Sequence, residues 1–119
     1  MIFQYQPYEI PGEALKLLEK SIRYSDYSDI WELLEDDGDF FVLKTDKIKG
    51  VFYLEEQDDT LEIVVLGGED IHSWKDEFEE FMRVEMRRRG LSQICALGRG
   101  GWTKIFKKAK LIGTYYTYT

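Results

Sequence analysis

A change of hydrophobic period, made twice, constrains this chain more than any other feature. Up to residue 34 the apolar side chains recur mostly at helical spacing. From Phe40 to Leu66 they crowd into three runs rich in β-branched and aromatic residues, and after Gly68 the helical spacing returns. The runs cover residues 40–44, 49–55 and 61–66, and are separated by Thr45-Asp46-Lys47 and Gln57-Asp58-Asp59, both good turn material. Links this short join antiparallel neighbours, which predicts a three-strand meander. The third run is continuously apolar after Glu62, as suits a central strand covered on both faces.

The flanks complete an alternating order. Residues 1–7 read as a short strand stopped by Pro7. Pro11-Gly12-Glu13 opens a helix whose apolar face is Ala14, Leu15, Leu18 and Ile22. A polar link, 24–29, ends in Asp29, which with Glu32 forms a capping pattern for a short second helix bearing Ile30, Trp31, Leu33 and Leu34. Gly67-Gly68 reads as a turn. From Asp70 to Arg89, Ile71, Trp74, Phe78, Phe81, Met82 and Glu85 follow one face of a long helix that Gly90 stops. Residues 91–97 form a buried strand with Cys95 as a small apolar residue, and 98–101 a loop. Trp102, Ile105, Phe106 and Ala109 mark a last helix, and 114–119 a closing strand. The expected fold is a single α/β domain over 1–119 with a mixed sheet, in the order β-α-α-β-β-β-α-β-α-β.

Composition removes several function classes. One cysteine, Cys95, excludes a disulfide framework and a cysteine-cluster zinc site, and one histidine, His72, excludes paired-histidine metal motifs. No metal ligand set is expected. No apolar run approaches the ~20 residues of a membrane span, and no basic-then-apolar leader opens the chain, so no membrane partner is expected and the compartment reads as cytoplasmic. The clusters Asp36-Asp37-Asp39 and Glu55-Glu56-Asp58-Asp59 lack calcium-loop spacing and read as solubilising turns. The tryptophans Trp31, Trp74 and Trp102 all read as core, with Trp102 the most exposed.

Charge is polarised. Residues 1–70 hold 18 acids and 6 bases, residues 71–119 hold 5 acids and 10 bases, and no acid follows Glu85. Arg87, Arg88, Arg89, Arg99, Lys104, Lys107, Lys108 and Lys110, with Trp102, make a candidate interaction patch. Either this patch meets a partner, or the two halves neutralise each other within the fold. Nucleic acid fits poorly, because the sequence pI is about 4.8 and no nucleic-acid motif is present.

The meander feeding a long helix, followed by residues 94–97, 102–110 and 111–115, resembles the GCN5-related N-acetyltransferase (GNAT) fold over residues 39–119. That resemblance implies that acetyl-coenzyme A is held by backbone N–H groups at Leu66, Gly67, Gly68, Glu69 and Asp70, with Glu62 as base and Tyr115 or Tyr116 as acid. The sequence departs from the family's Arg/Gln-x-x-Gly-x-Gly/Ala loop: two adjacent glycines stand there, no Arg or Gln precedes them, and Glu69 and Asp70 follow. The stretch Ile94-Cys95-Ala96-Leu97-Gly98-Arg99-Gly100-Gly101-Trp102 is similar to small tailed-phage head-assembly proteins. Together these resemblances set the expectation of a non-enzymatic assembly protein. It would have viral structural partners, no catalytic residues and no cofactor, in the host cytoplasm or on the virion. The alternative is an N-acyltransferase with an atypical coenzyme site, which predicts an open splay between the fourth and fifth strands. A third reading is nucleic-acid binding through the basic C-terminal third.

Overall fold

The computed structural model describes residues 1–25, 27–97, 109–112 and 115–118. Seven strands form one mixed sheet: β1 (Ile2–Tyr5), β2 (Asp39–Lys44), β3 (Ile48–Gln57), β4 (Thr60–Gly68), β5 (Gln93–Leu97), β6 (Ala109–Ile112) and β7 (Tyr115–Tyr118). Their spatial order is β1-β2-β3-β4-β5-β7-β6. The helices are α1 (Gly12–Ser21), α2 (Ile30–Leu34) and α3 (Lys75–Arg88). The β2-β3-β4 meander is antiparallel, as the short turns predict, and β5 returns parallel to β4 after α3. This is the mixed α/β arrangement that the period changes suggest.

Local chemistry explains each helix start. Pro11 precedes α1 with its fixed φ and no N–H to leave unsatisfied. Asp29 accepts the Glu32 N–H at 2.9 Å and caps α2, while Glu32 reaches back to the Ser28 N–H at 3.1 Å. The long helix departs from expectation at its start. Residues Ile71–Ser73 form a 3-10 turn, and α3 begins only at Lys75, after Trp74 takes a non-helical backbone.

The sheet is covered on both faces. On one face Phe41, Leu43, Phe52, Leu54, Leu61, Ile63 and Leu66 pack against Trp74, Phe78 and Met82 of the α3 segment. Phe52 meets Phe78 edge-on at 4.9 Å between ring centroids. On the other face Phe40, Val42, Val51, Tyr53, Val64 and Val65 pack against Ala14 and Leu18 of α1 and Leu33 and Leu34 of α2. β4 is buried on both faces, as its composition requires.

Three expectations need correction here. The last helix was placed too far along: Ala109 and Lys110 lie in β6, which pairs with β7 as a hairpin from Ala109↔Tyr118 to Ile112↔Tyr115. The alternation of Ala109 to Ile112 satisfies both periods, and the hairpin partner decides between them. The remainder of that helix, with Trp102, Ile105 and Phe106, lies outside the described residues. Gly67 and Gly68 are not a turn but the last two residues of β4, paired with Val51 and Gly50. Trp31 is 64% exposed and not core, because five residues of α2 bury only Leu33 and Leu34.

Candidate active site

The pairing of β4 changes along its length. Thr60, Leu61, Glu62 and Ile63 pair with Gln93, Ile94, Cys95 and Ala96 of β5. The ladder to β5 stops at Ile63↔Ala96, whereas the ladder to β3 continues to Gly68. Among the described residues, β4 therefore runs on from Val64 to Gly68 without a pair on β5.

A β-bulge stands where the β5 pairing stops. The β3–β4 register passes from Tyr53↔Val65 to Leu54↔Ile63, so Val64 is an extra residue on β4. Its effect is visible in the side chains: Leu61 and Ile63 face the α3 side, Val64 and Val65 both face the α1 side, and Leu66 returns to the α3 side. A bulge bends its strand and disrupts the ladder locally. Here that happens next to the last β5 pair.

Glu62 and Cys95 are register partners just below the bulge. Both are half-buried, Cys95 more exposed than the buried small residue expected, and burial with the Glu62 charge pushes the thiol pKa up. Across β5, Cys95 pairs with Thr117 and Leu97 with Tyr115, so β7 borders the same region. Ala96 pairs with Tyr116. By register Thr117 shares the row of Glu62 and Cys95, Tyr115 lies two positions along β7 from it, and Tyr116 is out of phase with that row.

The stretch Leu66, Gly67, Gly68, Glu69 and Asp70 does not form a phosphate loop. A methyl group at Gly67 would overlap the Ser21 hydroxyl and stand 2.9 Å from the Ser21 Cβ; one at Gly68 would overlap Lys49 O and stand 2.9 Å from the Trp74 ring. These glycines let α1 and Trp74 approach the sheet. The Glu69 N–H donates to Lys49 O at 2.9 Å, and the Trp74 indole N–H donates to Glu69 O at 2.9 Å. Asp70 holds φ 57°, a left-handed conformation.

The predicted basic patch is divided. Arg89 is not available to a partner: its side chain is 8% exposed and ion-pairs with Asp39 at 2.9 Å, Glu56 at 3.0 Å and Glu85 at 3.0 Å. Arg88 pairs with Glu85 at 2.7 Å from a largely exposed position, and Arg87 is exposed. Glu85, read as the odd member of an apolar face, is buried to receive both arginines, and chiefly Arg88 holds its carboxyl below the usual range. The two charge halves therefore meet within the chain at Arg89. Lys110 lies on β6, whereas Arg99, Trp102, Lys104, Lys107 and Lys108 lie outside the described residues.

The acidic clusters are likewise more than solubilising turns. Asp39 and Glu56 hold Arg89, and Glu55 Oε1 accepts from Tyr53 at 2.8 Å and lies 2.9 Å from the Tyr27 hydroxyl, which also meets Asp36. The Gly38 N–H donates to the Tyr53 oxygen at 2.8 Å. Burial, then the neighbouring carboxylates, pushes both phenol pKa values up. An open cleft of about 490 Å³ lies beside this network, lined by Asp36, Asp37, Asp39, Glu55 and Glu56. It borders the end of β3 that pairs with the start of β4, away from Gly68. Among the described residues no cluster of side chains could hold a metal ion, and no helix is long and apolar enough to cross a membrane.

No family model matches this chain, and no curated protein matches it. Solved structures do. An acetyltransferase from Bacillus subtilis in complex with coenzyme A is similar with a TM-score of 0.69 and 16% identity, over 92% of this chain and 77% of that one. An IAA acetyltransferase from Bacillus cereus gives 0.66 and 19%, over 95% and 78%. A GNAT-family acetyltransferase from Brucella melitensis in complex with acetyl-CoA gives 0.62 and 12%, over 100% and 88%. These likenesses establish the GNAT-like fold. They overturn the expectation of a non-enzymatic phage assembly protein, since these neighbours are acetyltransferases.

Proposed function

We propose that this chain is an N-acyltransferase that takes acetyl-coenzyme A as donor into the opening between β4 and β5. The observation that carries this reading is the bulge at Val64 lying one residue beyond the last β4–β5 pair. A strand that leaves its neighbour exposes backbone donors and acceptors to whatever enters, and an extended arm with amide groups can pair with them. A disrupted ladder at the apex also offers preorganised N–H groups where a thioester oxygen would gain charge.

The chemistry needs few side chains. An amine nitrogen attacks the thioester carbonyl carbon, the C–N bond forms and the C–S bond breaks. The proton lost by nitrogen passes to Glu62, directly or through water, and the thiolate leaves and is reprotonated. Glu62 belongs to β4 two residues before the bulge, which places the base at the apex rather than the mouth.

The test is a titration of the purified chain with acetyl-coenzyme A by calorimetry and thermal shift, followed by thiol release with a panel of amines. A ligand at a thousandfold excess over its Kd stabilises by about 4 kcal/mol, a readily seen melting shift. Saturable binding with amine-dependent thiol release is expected. Silence in both assays refutes the reading.

A further inference from the structure

The stretch of β4 beyond its last pair with β5 has two ends of opposite character. Its apex is apolar, at Ile63, Val64 and Ala96. Its mouth lies at Gly68, where the chain passes through Glu69 and Asp70 into the 3-10 turn before α3. At ~3.3 Å per strand residue, the mouth is roughly 13 Å from the bulge, with Glu69 and Asp70 just beyond it. A donor arm laid along β4 with its acyl carbon at the apex therefore brings whatever follows the arm against Glu69 and Asp70.

A strand-to-helix junction ordinarily favours an anion there, through free N–H groups and the helix dipole. This one is built against it. The Glu69 N–H is engaged by Lys49 O, and the Ser73 and Trp74 N–H groups close the 3-10 turn onto Asp70 O and Ile71 O at 2.9 and 3.2 Å. Trp74, at φ −130° and ψ 1°, breaks the path from that turn to α3, so the turn and the helix do not share one run of amides. Asp76 and Glu77 occupy the first turn of α3. Lys47 and Lys49 stand 3.8 Å from Glu69 and Asp70, and each neutralises a carboxylate of the chain itself.

We infer that this chain recognises its donor by the acylated pantetheine arm, and that the nucleotide diphosphate adds little affinity. The inference rests on the acyltransferase reading and names its donor class: S-acyl pantetheine, either free or as the prosthetic arm of a carrier protein. Coenzyme A is then a donor because it contains the arm.

The full chain is titrated by calorimetry with coenzyme A, pantetheine and adenosine 3′,5′-bisphosphate. Coenzyme A and pantetheine are expected to bind within about threefold of each other, and the bisphosphate not at all. The double variant Glu69→Gln, Asp70→Gly removes two exposed carboxylates and gives the left-handed position a residue that favours it. It is expected to tighten coenzyme A about tenfold and leave pantetheine unchanged, since like charges facing each other are costly. Coenzyme A binding more than about thirtyfold tighter than pantetheine, or unmoved by the double variant, overturns the inference and leaves the acyltransferase standing. If neither ligand binds, both readings fall. An acylated carrier protein set against free acyl-pantetheine separates the two sources: tighter binding assigns the carrier, equal binding the free thioester.

Discussion

Gly67→Ala tests whether the diglycine of β4 is a packing device or a ligand loop. The added methyl group would overlap Ser21 Oγ, stand 2.9 Å from Ser21 Cβ and stand 3.0 Å from Leu17 O. Ser21 is 8% exposed and its hydroxyl donates to Leu17 O at 2.9 Å. Turning the hydroxyl aside forfeits a buried hydrogen bond worth about 1 kcal/mol. Moving α1 off β4 is overpacking of the kind that costs ~1–3 kcal/mol. The expected loss is roughly 2–4 kcal/mol, or about 10 °C in Tm for a domain of this size. Urea denaturation reads it as a lower midpoint at unchanged slope. In a Ser21→Gly background, which itself costs ~1 kcal/mol for a helix glycine, the obstructing side chain is gone. There Gly67→Ala should cost less than about 1 kcal/mol, leaving a coupling of at least ~1 kcal/mol between the two sites. Equal cost in both backgrounds would refute the packing argument. A ligand loop predicts a different pattern, with donor affinity lost and stability kept.

Four further outcomes follow from the structure. Arg89→Ala removes the buried cation that Asp39 and Glu56 share with Glu85, which keeps Arg88, and should cost about 1–3 kcal/mol by urea denaturation. Glu85 has a folded pKa below its unfolded value, so its contribution is present above the unfolded value and is lost as pH falls through the folded one. A urea midpoint followed from neutral to acid should fall over that window, and less steeply in Arg88→Gln; an unchanged slope removes the assignment. Tyr27 and Tyr53 have raised folded pKa values, so an absorbance titration of the eight tyrosines should show a late-ionising class that Tyr53→Phe diminishes. The stability tied to these phenols is present below the ordinary phenol value and is lost as pH rises through the folded ones. Glu62→Gln should lower kcat by about 10²–10⁴ with donor Kd unchanged. A Kd that moves with kcat would make Glu62 a binding residue instead.

Most of the fold was legible because its signals are local. The turns at 45–47 and 57–59 dictate the meander, the Asp29 cap starts α2, and the apolar density of 61–66 demands a two-faced strand. Where two periods fit the same residues, locality ran out. Residues 109–112 alternate well enough for a strand and repeat well enough for a helix end, and only β7 as partner decides. Gly67 and Gly68 look like a turn in one dimension, since nothing in the sequence reveals that Ser21 and Trp74 press against them. Glu85 looked like an imperfection of an apolar face. Its meaning depends on Arg89, Asp39 and Glu56, which lie up to 46 residues away in sequence.

The candidate site was less legible than the fold for a related reason. A search of the sequence looks for side chains at diagnostic spacing, and Glu62, Tyr115 and Tyr116 have none: they are singled out only by the family resemblance. The proposed donor site is made of backbone: one extra residue in β4 and, among the described residues, no β5 pair after Ile63. Neither has a side-chain signature, because Val64 is as ordinary a strand residue as Val65. The only trace in the sequence is that two consecutive valines follow an alternating Leu61-Glu62-Ile63. An unbroken strand would send those valines to opposite faces, yet both pack toward α1. The departure from the family loop at Glu69 and Asp70 misled for the complementary reason. Losing a phosphate cradle at the mouth says nothing about the apex, where the bond-making would occur. A fold can change how it grips one end of a donor while keeping the strand geometry that receives the other.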